Sequence, residues 1–316
     1  SIPRNGSKKQ HCNLQSSIMD IEILAQKFYD YSSFIRGYSP TTIRRYKSSL
    51  SYFTKFTGAQ NLEDITDQNV RRFFLNGRVE RNWKANTFVC YHKSLLVFFQ
   101  WCVENGHMES NPVEDIEVPK IEKRLPSKLT KQEALRLLEV VYNYPYFYKH
   151  LRFRNHAIFS TFIFAGLRKS ELINLKLTDV DVENLTIFVR QGKGGKDRII
   201  PMSYTLASSL KKYSEERKKL GKTCPEFFAS VCRNSGFTEN GIKWLVLEMR
   251  KASGIRFTIH QLRHTFATLM LEGGCDIYSL SKMMGHSDIK TTTIYLAASA
   301  EHLRSQMTKH PLNDLV

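Results

Sequence analysis

Apolar residues recur at helical spacing through most of the chain, and the stops between them carry recognisable caps. The pattern predicts a first helix from about Asp20 to Ile35. Ser39 followed by Pro40 is a strong helix start, because the serine can accept an orphan N–H and proline has none to satisfy. Ile43, Tyr46, Leu50 and Phe53 then fall on one helical face. Arg44, Arg45 and Lys47 lie mostly off it and point to solvent or a partner. A third helix is expected after Thr66, to about Leu75, and a fourth from about Lys84 to Glu104, stopping at Gly106. The fourth buries Phe88, Tyr91, Leu95, Phe98 and Cys102, so this first block reads as four helices around one core.

Pro112, Pro119 and Pro126 interrupt the next stretch, and helices stop before such residues. Thr130 with Glu133 forms a capping box and opens a second block that is mostly helical. One β insertion stands out there. Leu185, Ile187 and Val189 alternate as in a half-buried strand, a Gly-rich turn follows, and Arg198 to Ile200 return as a second strand. From Leu206 onward the chain reads as helical, with turns at Gly221, Gly236, Gly254, Gly273–Gly274 and Gly285. The fold class is mainly α: a four-helix domain followed by a mostly helical α+β domain with a small antiparallel sheet. The expected division is a flexible lead over 1–15, a first domain over 16–110, an extended linker over 111–127 and a second domain over 128–316.

Composition narrows the function. The chain has 316 residues, which suits two domains at roughly 100–200 residues each. A hydrophobic share of 41% and a charged share of 24% exclude global disorder. No apolar run reaches the roughly 18–20 residues of a membrane span, and Ser1 to Gln15 offers no apolar stretch for a secretory signal. The net charge is +17, and it is uneven: 15 basic against 12 acidic side chains over 1–119, then 32 against 18 over 120–316. Such a surplus draws a polyanion, and most of the attraction belongs to the second block. No basic amphipathic stripe suggests a membrane surface instead. Cys12, Cys90, Cys102, Cys224, Cys232 and Cys275 form no CxxC pair and read as reduced cytosolic thiols.

Four local motifs carry possible chemistry. In Ala165-Gly166-Leu167-Arg168-Lys169-Ser170-Glu171, an apolar helix runs into a glycine and an arginine. Arg168 reads either as a surface residue after a helix end or as a guanidinium held for a phosphate, with Glu171 orienting it. Gly192-Lys193-Gly194-Gly195-Lys196 is either a solvated turn or a mobile lysine reaching into a groove, and it lacks the spacing of a nucleotide-binding loop. His260, Arg263 and His264 share one helical face. His260 and His264 have the spacing of two zinc ligands, but Gln261 stands where a metalloprotease needs Glu, and a cation beside the pair opposes a metal. His264 reads as a buried, hydrogen-bonded structural residue. In Met284-Gly285-His286-Ser287-Asp288, Gly285 ends one helix and Ser287 can cap the next, which carries Tyr295 about two turns in.

Taken in order, Arg168, Lys193, His260-x-x-Arg263, Gly285-His286 and Tyr295 nine residues on resemble the tyrosine recombinase (phage integrase) family. The strings LRHTFAT and GHSDIKTTTIY look like its most characteristic text, and the likeness covers the whole chain. It points to simple two-domain recombinases of the Xer type. It implies an N-terminal core-binding, SAM-like domain and a C-terminal catalytic domain. A further arm-binding domain is not expected, with only about 15–20 residues ahead of the first helix.

The resemblance implies Arg168, Lys193, His260, Arg263, His286 and Tyr295 as catalytic residues. Tyr295 attacks phosphorus, and the phenol must lose its proton as it does so. Two guanidiniums hold the non-bridging oxygens and keep their charge. Lys193 serves as acid for the leaving oxygen, His260 acts on the tyrosine proton, and His286 bonds the phosphate. A 3′-phosphotyrosyl ester keeps the bond energy, so neither metal nor other cofactor is expected. The implied partners are duplex DNA with an inverted-repeat core site and a homo-tetramer on two such sites, with a heteromeric partner possible, in a cytoplasmic, nucleoid-associated setting. Leu303 and Met307 in the tail Ala300 to Val316 share a face that can insert into a neighbouring subunit; the plainer reading is a frayed terminus. Arg44, Arg45, Lys47 and Lys84 are candidates for groove contacts with DNA by the smaller block or, equally, a solvated face. Two alternatives remain: a type IB topoisomerase and a catalytically inert DNA-binding regulator.

Overall fold

The computed structural model describes residues 20–122, 126–190, 197–286, 288–298 and 304. The chain divides into two compact units, Ser1–Lys123 and Arg124–Val316.

In the first unit, the local start signals set the helices. Asp20 accepts the Glu22 N–H at 2.7 Å and opens α1, Ile21–Asp30. A π-helical turn, Tyr31–Ile35, prolongs it, with the Arg36 N–H reaching back to the Tyr31 carbonyl. Ser39 accepts the Thr42 N–H at the head of α2, Pro40–Thr57. Thr66 and Asn69 exchange bonds at the head of α3, Asp67–Val79, one turn longer than expected. The fourth helix, α4, is Ala85–Glu104. Their apolar stripes meet in a core of Leu24, Phe28, Leu50, Phe53, Phe73, Leu95, Phe98 and Phe99, all nearly solvent-free. Each such side chain contributes about 1.5–3 kcal/mol by leaving water. The linker expected from Asn111 is not extended at its start. Asn111 donates to the Leu96 carbonyl and accepts the Val113 N–H, and Val113 is fully buried in the first core. A buried apolar side chain and a satisfied amide hold those residues to the helices despite Pro112.

The second unit begins with the expected Thr130–Glu133 capping box on α5, Lys131–Asn143. The next helix, α6, His150–Ala165, is buried along most of its length and runs through the middle of the second core. A short α7, Lys169–Asn174, follows. A three-stranded antiparallel sheet has the order β1 (Val180–Asp181), β2 (Thr186–Val189), β3 (Arg198–Pro201). Ile187 pairs with Ile200 and Val189 with Arg198, so Ile187, Val189 and Ile200 face the core. Leu185 lies outside the strand in a left-handed turn at φ 54°. The helices that complete the unit are α8 (Tyr204–Lys219), α9 (Glu239–Ser253), α10 (Ile259–Glu272), α11 (Ile277–Met284) and α12 (Lys290–Ala298). The stretch between α8 and α9, expected to be helical, is irregular instead. Isolated bridges Lys176–Glu226 and Ala229–Gly236 pin it, and Phe227 and Phe228 bury themselves in the core. No helix among the described residues is long and apolar enough to cross a membrane.

Candidate active site

Helix α6 ends at Gly166, which turns left-handed at φ 60° and lets the chain pass against Phe266; a Cβ there would lie 2.3 Å from that ring. Leu167 is fully buried and anchors the turn, and Arg168 comes next as the N-cap of α7. Three residues on, Glu171 accepts the Arg168 backbone N–H at 2.7 Å and its Nη1 at 2.6 Å. The same carboxylate receives a two-pronged contact from Arg198 of β3, both arms at 2.8 Å. Burial alone would push Glu171 up. The Arg198 hydrogen bond and charge, with the backbone N–H and charge of Arg168, outweigh it and hold the carboxyl at about 2.

Helix α10 starts with a capping box in which Gln261 accepts the Thr258 N–H and donates to Ser127. The residue that stands where a metalloprotease needs Glu thus closes a helix end. Arg263, only 3% exposed, points from α10 to the end of α11. Its arms donate to the carbonyls of Gly166 and Met284 and to Nε2 of His286. A guanidinium can only donate, so Nε2 of His286 accepts and Nδ1 carries the hydrogen that Thr292 receives at 2.8 Å. Burial, and then the Arg168 charge, push Arg263 down to about 10, which leaves it charged at neutral pH.

The end of α11 is the meeting point. Three successive carbonyls, Met283, Met284 and Gly285, accept from Arg198, Arg263 and Arg168 respectively. Helix C-terminal carbonyls lack intrahelical partners and carry partial negative charge, so cations are favoured there. Gly285 is left-handed at φ 62° and lies directly over Arg198, whose Cδ and Nη1 stand 3.0 Å from where a Cβ would be. Three guanidiniums meet here beside a single carboxylate, which is bonded to Arg168 and Arg198 but not to Arg263, and this excess of positive charge suits the neighbourhood to a further anion.

Tyr295 projects from α12 and is 2% exposed, packed with Phe266, Leu280 and Met284. Its hydroxyl is bonded to Nδ1 of His264 at 2.8 Å, not to His260 as expected for a residue acting on its proton. Burial raises the phenol above its ordinary value, and Arg263 and Arg168 pull the other way. Burial, then His260 and Arg263, push His264 down to about 4, so it is a neutral acceptor. His260 as a residue is exposed, with its ring edge-on to His264 at 4.3 Å; partial desolvation of the ring, then the Arg263 and Arg168 charges, lower its pKa.

Arg168, His260, Arg263, His286 and Tyr295 therefore gather around α10 and the end of α11. Lys193, Ser287 and the tail residues Leu303 and Met307 lie outside the described residues. Asp288, through its carboxylate, accepts the Lys290 N–H where α12 begins. In the first unit Arg44, Arg45, Lys47 and Lys84 are all exposed. Arg45 rests over the Tyr46 ring and Lys47 over the Tyr29 ring. Among the described residues, no group of three His, Cys, Asp or Glu side chains could hold a metal ion. Arg198 and the His264–Tyr295 bond were not among the features expected from the sequence. The signal for Arg198 was alternation: it shares the inward face of β3 with Ile200, and a buried cation needs a carboxylate.

Residues 127–302 match the family model described as the phage integrase family. The chain belongs to the phage integrase family. Residues 24–107 also match the phage integrase N-terminal SAM-like domain. The tyrosine recombinase XerA of Pyrococcus horikoshii is 38% identical over 304 residues, 96% of this chain and 98% of that protein. A crystal structure of XerA recombinase is 29% identical, with a TM-score of 0.52, and the match covers 92% of this chain and 98% of that one. A lambda integrase tetramer bound to a Holliday junction is 21% identical with a TM-score of 0.69, covering 91% of this chain and 79% of that one, a likeness of fold. This phage integrase family member is a tyrosine-type site-specific DNA recombinase.

Proposed function

We propose that the chain cleaves each DNA strand by attack of Tyr295 on a phosphorus held between Arg168 and Arg263. The observation that carries this reading is the convergence of both guanidiniums on the end of α11, within electrostatic reach of the Tyr295 phenol. The pentavalent transition state concentrates charge on the non-bridging oxygens. Two fixed, permanently charged donors stabilise it there without reorganising, a contribution of about 3–4 kcal/mol per donor in comparable sites. On binding a phosphate, Arg168 and Arg263 exchange carbonyl partners for phosphate oxygens. His286 changes tautomer by proton exchange with water, the Thr292 hydroxyl then donating to Nδ1, so that Nε2–H donates toward the same group. His260, exposed beside the two arginines, handles the proton that Tyr295 loses. Lys193 protonates the leaving 5′ oxygen. The hydroxyl of Tyr295 leaves His264 before it attacks.

The product is a 3′-phosphotyrosyl ester and a free 5′ hydroxyl. A partner strand's 5′ hydroxyl reverses the step, and two rounds pass through a Holliday junction. The chain works as a homo-tetramer on two inverted-repeat core sites, a reading supported by the fold it shares with a tetramer solved on such a junction. Arg44, Arg45, Lys47 and Lys84 contact the duplex backbone from the first unit. A nicked DNA that sheds its 5′ fragment traps the intermediate. A shifted band on a denaturing gel that vanishes in Tyr295→Phe supports the reading, and an unshifted wild-type band on a verified site sinks it.

A further inference from the structure

We propose that Arg198 is a positioning residue for strand cleavage: from β3 it holds Glu171, and through Glu171 the Arg168 guanidinium, against the end of α11. The proposal rests on the reading that Arg168 holds the scissile phosphate. Its basis is geometric. Arg198 is the hub of a three-element junction. Nη1 and Nη2 each donate to one oxygen of Glu171 at 2.8 Å, and Nε donates to the Met283 carbonyl at 2.7 Å. Its side chain is 8% exposed and that of Glu171 is 4% exposed, so neither is a fluctuating surface pair. Glu171 spends its remaining capacity on Arg168, through the backbone N–H and Nη1. The other arm of Arg168 reaches the Gly285 carbonyl at 3.2 Å. The Gly285 turn, which leads to His286, lies on the Arg198 side chain itself.

A single carboxylate thus fixes Arg168, and Arg198 fixes that carboxylate. Without Arg198, Glu171 keeps only Arg168 as a cationic partner and is free to draw that guanidinium down onto itself, away from a phosphate. With Arg198 in place, both carboxylate oxygens are already engaged and Arg168 stays turned toward the end of α11. A lysine cannot reproduce this, because one ammonium point charge cannot present the planar fork and the third donor together. Groups that orient metal ligands from behind cost about 10–100-fold in activity when lost, and the same scale is expected for a group that orients a phosphate-holding guanidinium.

The test compares two suicide substrates, identical except that the scissile linkage is either an ordinary phosphodiester or an uncharged methylphosphonate. A neutral linkage has less need of a cation, so it spares a defect that arises at Arg168. Wild type, Arg168→Ala, Arg198→Lys and Arg198→Gln are measured for adduct formation in single turnover. DNA affinity and thermal melting are measured alongside, and Arg198→Lys keeps a positive charge beside the buried Glu171. We expect Arg198→Lys and Arg198→Gln to form adduct at least about 10-fold more slowly than wild type on the phosphodiester, with DNA affinity within about 2-fold. On the methylphosphonate the deficit of both, like that of Arg168→Ala, shrinks several-fold. If Arg168→Ala is relieved by the neutral linkage and neither Arg198 variant is, Arg198 is structural only and the inference falls alone. If Arg168→Ala itself gains nothing, the reading of Arg168 fails and the inference goes with it. An Arg198→Lys enzyme as fast as wild type on the phosphodiester also overturns the inference.

Discussion

Replacing His264 by leucine removes the partner of the Tyr295 hydroxyl while keeping an apolar side chain of similar bulk. The acidity of the pair decides what the bond is for. His264 sits at about 4 and the phenol above its ordinary 10. Moving the proton across that gap is uphill by at least about 8 kcal/mol, at about 1.36 kcal/mol for each tenfold step. In this arrangement His264 is therefore a holder of the phenol and not its base. The bond contributes about 1 kcal/mol net, but a buried hydroxyl left without a partner costs about 1–3 kcal/mol. That penalty falls on the docked tyrosine, so the released population rises about 5–150-fold. Single-turnover adduct formation on nicked DNA should run at least as fast in His264→Leu as in wild type. A urea-unfolding cycle with Tyr295→Phe should show about 1 kcal/mol of coupling between the two positions. Cleavage slowed 100-fold with DNA affinity intact would overturn the holding role, since His264 would then take part in the chemistry. A coupling energy below about 0.3 kcal/mol would refute it on the side of stability.

Arg263→Lys loses the donors that reach Gly166, Met284 and His286 together, so adduct formation should drop about 10²–10³-fold with DNA affinity nearly unchanged; an enzyme within 3-fold of wild type contradicts this. Glu171, held at about 2 against an ordinary 4.5, contributes stability that is complete above about pH 4.5 and is lost as pH falls toward 2. That loss amounts to about 3 kcal/mol. Urea unfolding across pH 5 to 2 should show it in wild type and a flatter profile in Glu171→Gln. Removing Arg44, Arg45 and Lys47 together should lower the salt dependence of DNA binding by about 2–3 log units per log unit of salt, with cleavage of bound DNA unchanged. An unaltered slope would make that helix face a solvated surface.

Much of the fold was legible because it is written locally. Ser39-Pro40, Thr66 and Thr130-x-x-Glu133 announce helix starts within four residues, and each appears where expected. The pairing of β2 with β3 followed from alternation. What escaped depends on distant partners. The two-residue β1 exists only because Val180 pairs with Ile187, and the irregular stretch before α9 is held by isolated bridges and buried phenylalanines. Asn111 and Val113 dock on the first core in spite of Pro112, because one amide and one apolar side chain find places there. The site divides in the same way. The order of Arg168, Arg263, His286 and Tyr295 could be read along the chain, and those residues do gather. That the Tyr295 hydroxyl would choose His264 over His260 depends on how α12 lies against α10, which spacing does not encode. Arg198 meets Glu171 from 27 residues away, and only the inward face of β3 hinted at it.

The most direct test of the central claim is to locate the covalent bond. Wild-type protein trapped on nicked DNA is digested with trypsin and nuclease, and the nucleotide-bearing peptide is sequenced by mass spectrometry. A 3′-nucleotide on Tyr295 is expected, within the peptide running from Thr291 to Arg304. A nucleotide attached to any other side chain, or joined through its 5′ end, would contradict it.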